Sequence, residues 1–238
     1  MPPRFSEINA VGYEHGLLAV VEDNRLGYLA PDGHYVWRAA PATNAPLNVD
    51  YMRRSFYQVA SAVQLPRYAG FGGWARSANA PKRTLAPSRP PNKLTLQVAA
   101  GMVPGGFEPR IDGYRVSIAN TTADTVVFDA QDSSLYLAVQ AQDAHGQWRD
   151  IEYTPSSWCG NSYHQVYLAP GQGWQLSVPA YTGSLKTQLR LRLIRQKNDD
   201  PRKSVVLYSN SFSGSVNAAQ FWRQEGHVAY DIMDSYSN

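Results

Sequence analysis

The chain has 238 residues, 17% of them charged and 12% aromatic, with 18 Gly and 16 Pro. So little charge beside 15 Tyr, 7 Phe and 6 Trp excludes a disordered chain, a coiled coil or a long charged helix, and favours strands. The net charge of +3 hides an asymmetry: Arg53, Arg54, Arg67, Arg76, Lys82, Arg83, Arg89 and Lys93 follow one another without an Asp or Glu among them, and the rest is net acidic.

Such a block points to an anionic partner or to an acidic surface of the same chain. No run approaches the ~18 apolar residues of a spanning helix. The start, Met1-Pro2-Pro3-Arg4-Phe5-Ser6-Glu7, lacks the apolar stretch of about 7–15 residues of a secretory signal. A single cysteine, Cys159, excludes an internal disulfide and a Cys-rich zinc site.

Along the chain, residues 1–45 read as a small β-meander. Apolar runs at Leu17–Val21 and Gly27–Leu29 flank Glu22-Asp23-Asn24-Arg25, and Pro31-Asp32-Gly33 turns into Tyr35-Val36-Trp37. Residues 46–92 read as a basic, Pro/Gly-rich connector. Val49, Met52, Phe56, Val59 and Val63 have rough helical spacing behind Asn48 and Asp50, which predicts a short helix. Pro81, Pro87, Pro90 and Pro91 then keep the chain extended.

Residues 93–220 alternate with period two in segment after segment: Lys93–Val98, Tyr114–Ile118, Thr125–Phe128, Ser134–Val139, Trp148–Tyr153, His164–Leu168, Trp174–Val178, Leu189–Ile194 and Val205–Tyr208. Asn120–Asp124, Asp143–Gly146, Pro170–Gly173 and Asn198–Pro201 supply the turns. That spacing predicts an antiparallel β-sandwich, and residues 221–238 are left as a tail. The fold class expected is therefore all-β: a small N-terminal meander plus an immunoglobulin-like antiparallel β-sandwich.

Two resemblances accompany this reading. The Gly16-Leu17-Leu18-Ala19-Val20 strand, its charged turn, Gly27-Tyr28-Leu29 and Asp32-Gly33 resemble one unit of the WG (KWG) repeat family, although Leu26 stands where an aromatic is usual. One such repeat cannot bury its own apolar face, so it needs a covering surface. Leu168-Ala169-Pro170-Gly171-Gln172 before Trp174 resembles a hairpin of immunoglobulin-like and fibronectin-like envelope domains. With Gly72–Ser77, Gly146–Tyr153, Ser157–His164 and Ser209–Phe212, it is similar to exported bacterial immunoglobulin-like proteins of no assigned function. That likeness implies an extracytoplasmic protein whose signal segment is encoded upstream of this chain; a cytosolic protein is the alternative.

Chemistry-bearing residues are sparse. Cys159 and His164 with Asp150 or Glu152 make a Cys–His–acid set on paper, but Cys-x4-His matches no nucleophile signature and a small cysteine beside Trp158 packs well in a core. Asp132, Asp143, Asp150 and Glu152 are the carboxylates available to a glycosidase pair. The scattered histidines 15, 34, 145, 164 and 227 form no ligand motif, and no phosphate loop follows Gly70-Phe71-Gly72-Gly73. No catalytic set, cofactor or metal is therefore expected.

Binding is the better expectation. Arginines outnumber lysines 17 to 5, and Arg53, Arg54, Arg67 and Arg76 interleave with Phe56, Tyr57, Tyr68, Phe71 and Trp74. Guanidinium forks beside rings suit an acidic polysaccharide or single-stranded nucleic acid. The competing reading pairs these arginines with the acids of the sandwich. Trp158, Tyr163, Tyr167 and Trp174 read as core rings, with a carbohydrate platform as the alternative. Arg190 and Arg192 alternate with Leu189, Leu191 and Leu193, and a basic stripe results if Arg115 and Arg149 share their face.

The function expected is a non-enzymatic interaction or structural module of the bacterial envelope that binds another protein. The alternative is glycan or polyanion binding through 53–93; outside the cell nucleic acid is disfavoured.

Overall fold

Hydrogen bonding between alternating strands organises both parts of the chain. The computed structural model describes residues 7–9, 16–22, 25–38, 44–61, 79–83, 92–108, 110–154, 162–197 and 200–222, and the chain divides into Met1–Asn44 and Ala45–Asn238. Arg67, Trp74, Arg76, Trp158, Cys159 and the tail 223–238 lie outside the described residues.

The first unit is the expected antiparallel meander: β1 (Glu7–Asn9), β2 (Leu18–Glu22), β3 (Arg25–Leu29) and β4 (Tyr35–Arg38), paired in that order. The β3–β4 turn needs Gly33, whose φ of 85° lies in the left-handed region. Gly27 has a different task. A Cβ there would stand 2.4 Å from the Tyr35 ring, so only glycine lets that ring lie across β3. Tyr35 then donates its hydroxyl to Glu22 at 2.8 Å, and Arg38 closes on the same carboxylate at 2.7 Å.

The second unit contains β5 (Arg53–Arg54), β6 (Lys82–Arg83), β7 (Leu94–Val98), β8 (Val103–Glu108), β9 (Ile111–Asn120), β10 (Val126–Gln131), β11 (Ser134–Leu135) and β12 (Leu137–Gln142). It continues through β13 (Trp148–Asp150), β14 (Glu152–Tyr153), β15 (Tyr163–Leu168), β16 (Gln172–Pro179), β17 (Leu185–Lys197), β18 (Asp200–Tyr208) and β19 (Phe212–Val216), then a 3-10 turn at Ala218–Phe221. One antiparallel sheet runs β6–β16–β9–β7 with β8 beside β9, another β13–β12–β17–β18 with β19 beside β17, and a third β11–β10–β15. The period-two residues of these sheets meet in one core, which holds Leu96, Ile118, Phe128, Leu137, Val139, Trp174, Leu176, Leu191 and Leu193. The ring of Phe128 meets Trp174 edge-on at 5.1 Å, joining β10 to β16. The protein is all-β, with an antiparallel β-sandwich as its larger part.

The segment read as connector and helix behaves differently. No helix forms over residues 48–61. Ser55, Tyr57 and Val59 are buried while their neighbours face outward, so a period of two prevails over the approximate helical spacing. The backbone is absorbed into the sandwich: β5 pairs in parallel with β14, and Ala45 and Leu47 form parallel bridges to Ile111 and Tyr181. Ser55 donates its amide to the Tyr153 carbonyl at 2.8 Å, Val59 to that of Ser133 at 2.9 Å, and Leu135 returns one to Tyr57 at 3.1 Å.

Glu152 fixes this arrangement. Its carboxyl group is buried and accepts hydrogen bonds from the Tyr57 hydroxyl at 2.7 and 2.8 Å, the Tyr181 hydroxyl at 2.5 Å and the Val139 amide at 3.0 Å. Three other chain segments thus converge on one side chain. Burial raises the Glu152 carboxyl above the ordinary carboxylate range, against the opposing pull of the tyrosine hydroxyls, the Val139 amide and nearby Arg53. Burial and the facing carboxyl likewise push both tyrosines well up.

Removing one partner from such a cluster strands the others. Glu152→Ala is expected to cost about 3–5 kcal/mol in denaturant unfolding. Glu152→Gln retains an acceptor for Val139 and donors for the tyrosine oxygens, and costs less. Because the folded carboxyl titrates above its unfolded value, ionisation opposes folding. The wild-type advantage over Glu152→Gln is full below the unfolded value and shrinks as pH rises through the folded one. Thermal melts of both proteins from about pH 3, below the free carboxyl value of ~4.3, up to about pH 8 check the sign.

Candidate functional site

The basic segment opens on two arginines that the fold brings together. Arg53 lies with its guanidinium 5.0 Å from the Phe107 ring centre and 3.7 Å from the Glu108 carboxylate. Burial alone would lower its pKa; the facing Tyr181, Glu152, Tyr57 and Glu108 outweigh it and hold the pKa above the usual guanidinium value. Arg54 sits 5.4 Å from the Phe56 ring centre. The acid-pairing reading therefore describes Arg53. Tyr163, 40% exposed, stands on β15 opposite Gln131, on a different sheet from these arginines.

The other candidates have structural tasks. Trp174 and Tyr167 are fully buried in the core, and Trp174 donates its indole N–H to the Ala60 carbonyl at 2.8 Å; neither is a platform for sugars. His164 is buried, with Nε2 3.3 Å from the Ser133 hydroxyl and Nδ1 3.0 Å from the Ser162 carbonyl. Asp150 holds Arg192 in a two-point pair at 3.0 and 2.6 Å, and Glu152 is the buried clamp. Asp143 organises its turn by accepting the His145 and Gln147 amides, which lower its pKa, the Gln147 bond most. Among the described residues no three His, Cys, Asp or Glu converge as metal ligands.

No basic stripe forms. Arg190 and Arg192 do lie opposite the buried Leu189, Leu191 and Leu193. However, Arg115 is on β9 of another sheet, and Arg149 sits in register with Ala141 and Leu189, on the opposite face. Arg190 is instead held between the rings of Trp148 at 4.2 Å and Tyr208 at 3.9 Å, and donates to Gln140 at 2.8 Å.

One concave feature of the second unit has no structural task. A cleft of about 940 Å³ opens over the outward face of β7, β9 and β16. Two rungs form its floor. Gln97, Ser117 and Gln175 stand in register across three strands, and Arg115 and Ser177 form the next rung. Phe56, Gln58 and Asn79 wall one side, with Phe107 and Asn210 also on its lining. No acid lines it among the described residues. Sequence reading missed this floor, because Gln97, Arg115 and Gln175 are simply the polar residues between buried ones on their strands. Phe56 and the segment 53–93 were the available signal.

Comparison with known proteins adds little. No family model matches the chain, and no curated protein matches it significantly. Among solved structures, the putative ApaA protein from Bordetella pertussis aligns at 16% identity with a TM-score of 0.35, covering 53% of this chain and 95% of that one.

The Arg190 stack yields a direct expectation. Arg190→Ala removes two ring contacts and leaves Gln140 without its donor, at a cost of about 1–2 kcal/mol. Arg190→Lys recovers only part, since an ammonium lacks the planar face that fills the gap between two rings. Urea unfolding of the three proteins measures both effects.

Proposed function

We propose that the chain is a non-enzymatic interaction module that binds another protein through its N-terminal meander, outside the cytoplasm. The observation that supports this is the outward face of β3 and β4. Leu26, Tyr28 and Trp37 are 42%, 37% and 50% exposed, Tyr28 and Trp37 are opposite each other in register, and their rings are 5.8 Å apart. An apolar face of this composition on so small a sheet is the kind of surface that anchors partners. The other face gives the patch its rigidity, since Tyr35, Glu22 and Arg38 brace the same strands. The likeness to a single WG-type unit, a repeat that cannot bury its own apolar face, supports the same reading. The likeness to exported immunoglobulin-like proteins supports the location.

A photo-crosslinking residue at Leu26, expressed in the native host, is expected to give one discrete partner adduct in an extracytoplasmic fraction. The same residue at exposed Lys186 gives none. Trp37→Ala abolishes the adduct and leaves the melting temperature within about 2 °C, as for a surface change. Adducts that are absent, or identical at both positions, contradict partner binding. Recovery of the protein in the cytosolic fraction contradicts the location.

A further inference from the structure

We propose that the cleft over β7, β9 and β16 is a binding site for an acidic oligosaccharide, one that carries carboxylates among its hydroxyls. This inference does not depend on the partner surface of the meander. It rests on five side chains of one sheet face: Gln97, Arg115, Ser117, Gln175 and Ser177. Among the described residues none of them has a side-chain hydrogen bond within the chain, in contrast to Arg190, Arg192 and Gln140 on the opposite sheet. The floor is therefore a set of oriented polar groups without internal partners.

Their spacing is set by the strands. Neighbouring strands lie about 4.8 Å apart, so the Gln97 and Gln175 backbones flank Ser117 at a separation of about 10 Å. Arg115 follows two residues along β9, about 7 Å away. Primary amides offer donors and an acceptor to neighbouring hydroxyls, and a guanidinium matches a carboxylate with two parallel bonds. A chain of hydroxylated rings bearing carboxylates meets both demands.

The walls narrow the choice further. The rings of Phe56 and Phe107 already carry Arg54 and Arg53 at 5.4 and 5.0 Å. The Tyr57 hydroxyl is committed to Glu152. Among the described residues no ring of this lining is thus free to stack in series, which argues against the base-stacking mode of single-stranded nucleic acid and against a neutral sugar held on an aromatic platform. The floor itself has no acid among its described residues. A neutral ligand would leave Arg115 covered without a counter-charge.

The test is calorimetric titration of the full chain with trigalacturonate, with maltotriose as the uncharged counterpart and a thymidine oligonucleotide as the competing polyanion. Trigalacturonate is expected to bind, and to weaken several-fold between about 20 and about 200 mM salt. Arg115→Gln should weaken it about tenfold, and the double change Gln97→Ala with Gln175→Ala at least about threefold. Arg149→Gln, outside the cleft, should leave affinity unchanged. All four positions are exposed or point outward, so melting temperatures serve as the folding control. Three results would overturn the proposal: no heat with trigalacturonate, equal or tighter binding of maltotriose or the oligonucleotide, or an Arg115→Gln protein that binds as wild type does.

Discussion

A carboxyl group withdrawn from water must be given hydrogen bonds at once, because an unpaired buried acid costs several kcal/mol. At Glu152 the donors come from Tyr57, Tyr181 and Val139, which are far apart in sequence. Satisfying that one group pins the start of the second unit to β14, to β12 and to the chain leaving β16. The parallel pairing of β5 with β14 follows, since Glu152 and Arg53 are in register. Arg53 in turn sits near the buried carboxyl and moderates its cost.

The same clamp shapes the cleft. With Ser55, Tyr57 and Val59 directed inward, Phe56 and Gln58 must point the other way, and they form one wall over the sheet face. Stability and recognition are therefore linked through a single extended segment. Its alternate residues serve the core and the cleft in turn. On the opposite sheet, the arginines have taken a different course: Arg190 and Arg192 are absorbed by rings and by Asp150, so their charge is spent within the fold.

The strands of the sandwich were legible because burial on one face leaves a period-two trace, as in Leu189-Arg190-Leu191-Arg192-Leu193. The meander was legible from its turns, with Gly33 at a positive φ. Residues 45–61 were not. Their pairing is long-range, parallel at Ala45, Leu47 and Arg53–Arg54 and antiparallel at Gln58, and Val49, Met52, Phe56 and Val59 happen to mimic a helical stripe while the buried set is Ser55, Tyr57 and Val59. Nothing local marks Ser55 as interior; its hydroxyl is buried against the Tyr153 carbonyl at 3.1 Å, nearly a hundred positions away. Arg53 and Arg54 were found as candidates from charge and aromatic interleaving alone. Gln97 and Gln175 were not, and Arg115 entered only as a possible member of a basic stripe, since only the register of three strands brings them to one floor.

The central claim is that residues 45–61 are part of the sandwich core, held there by Glu152. Native-state hydrogen exchange tests it most directly. The account predicts that the amides of Ser55 and Val59, bonded to Tyr153 and Ser133, exchange as slowly as those of Val178 and Leu191 in the central strands, through global unfolding alone. Exchange of Ser55 and Val59 by a much faster local opening, with Val178 and Leu191 still protected, would contradict it.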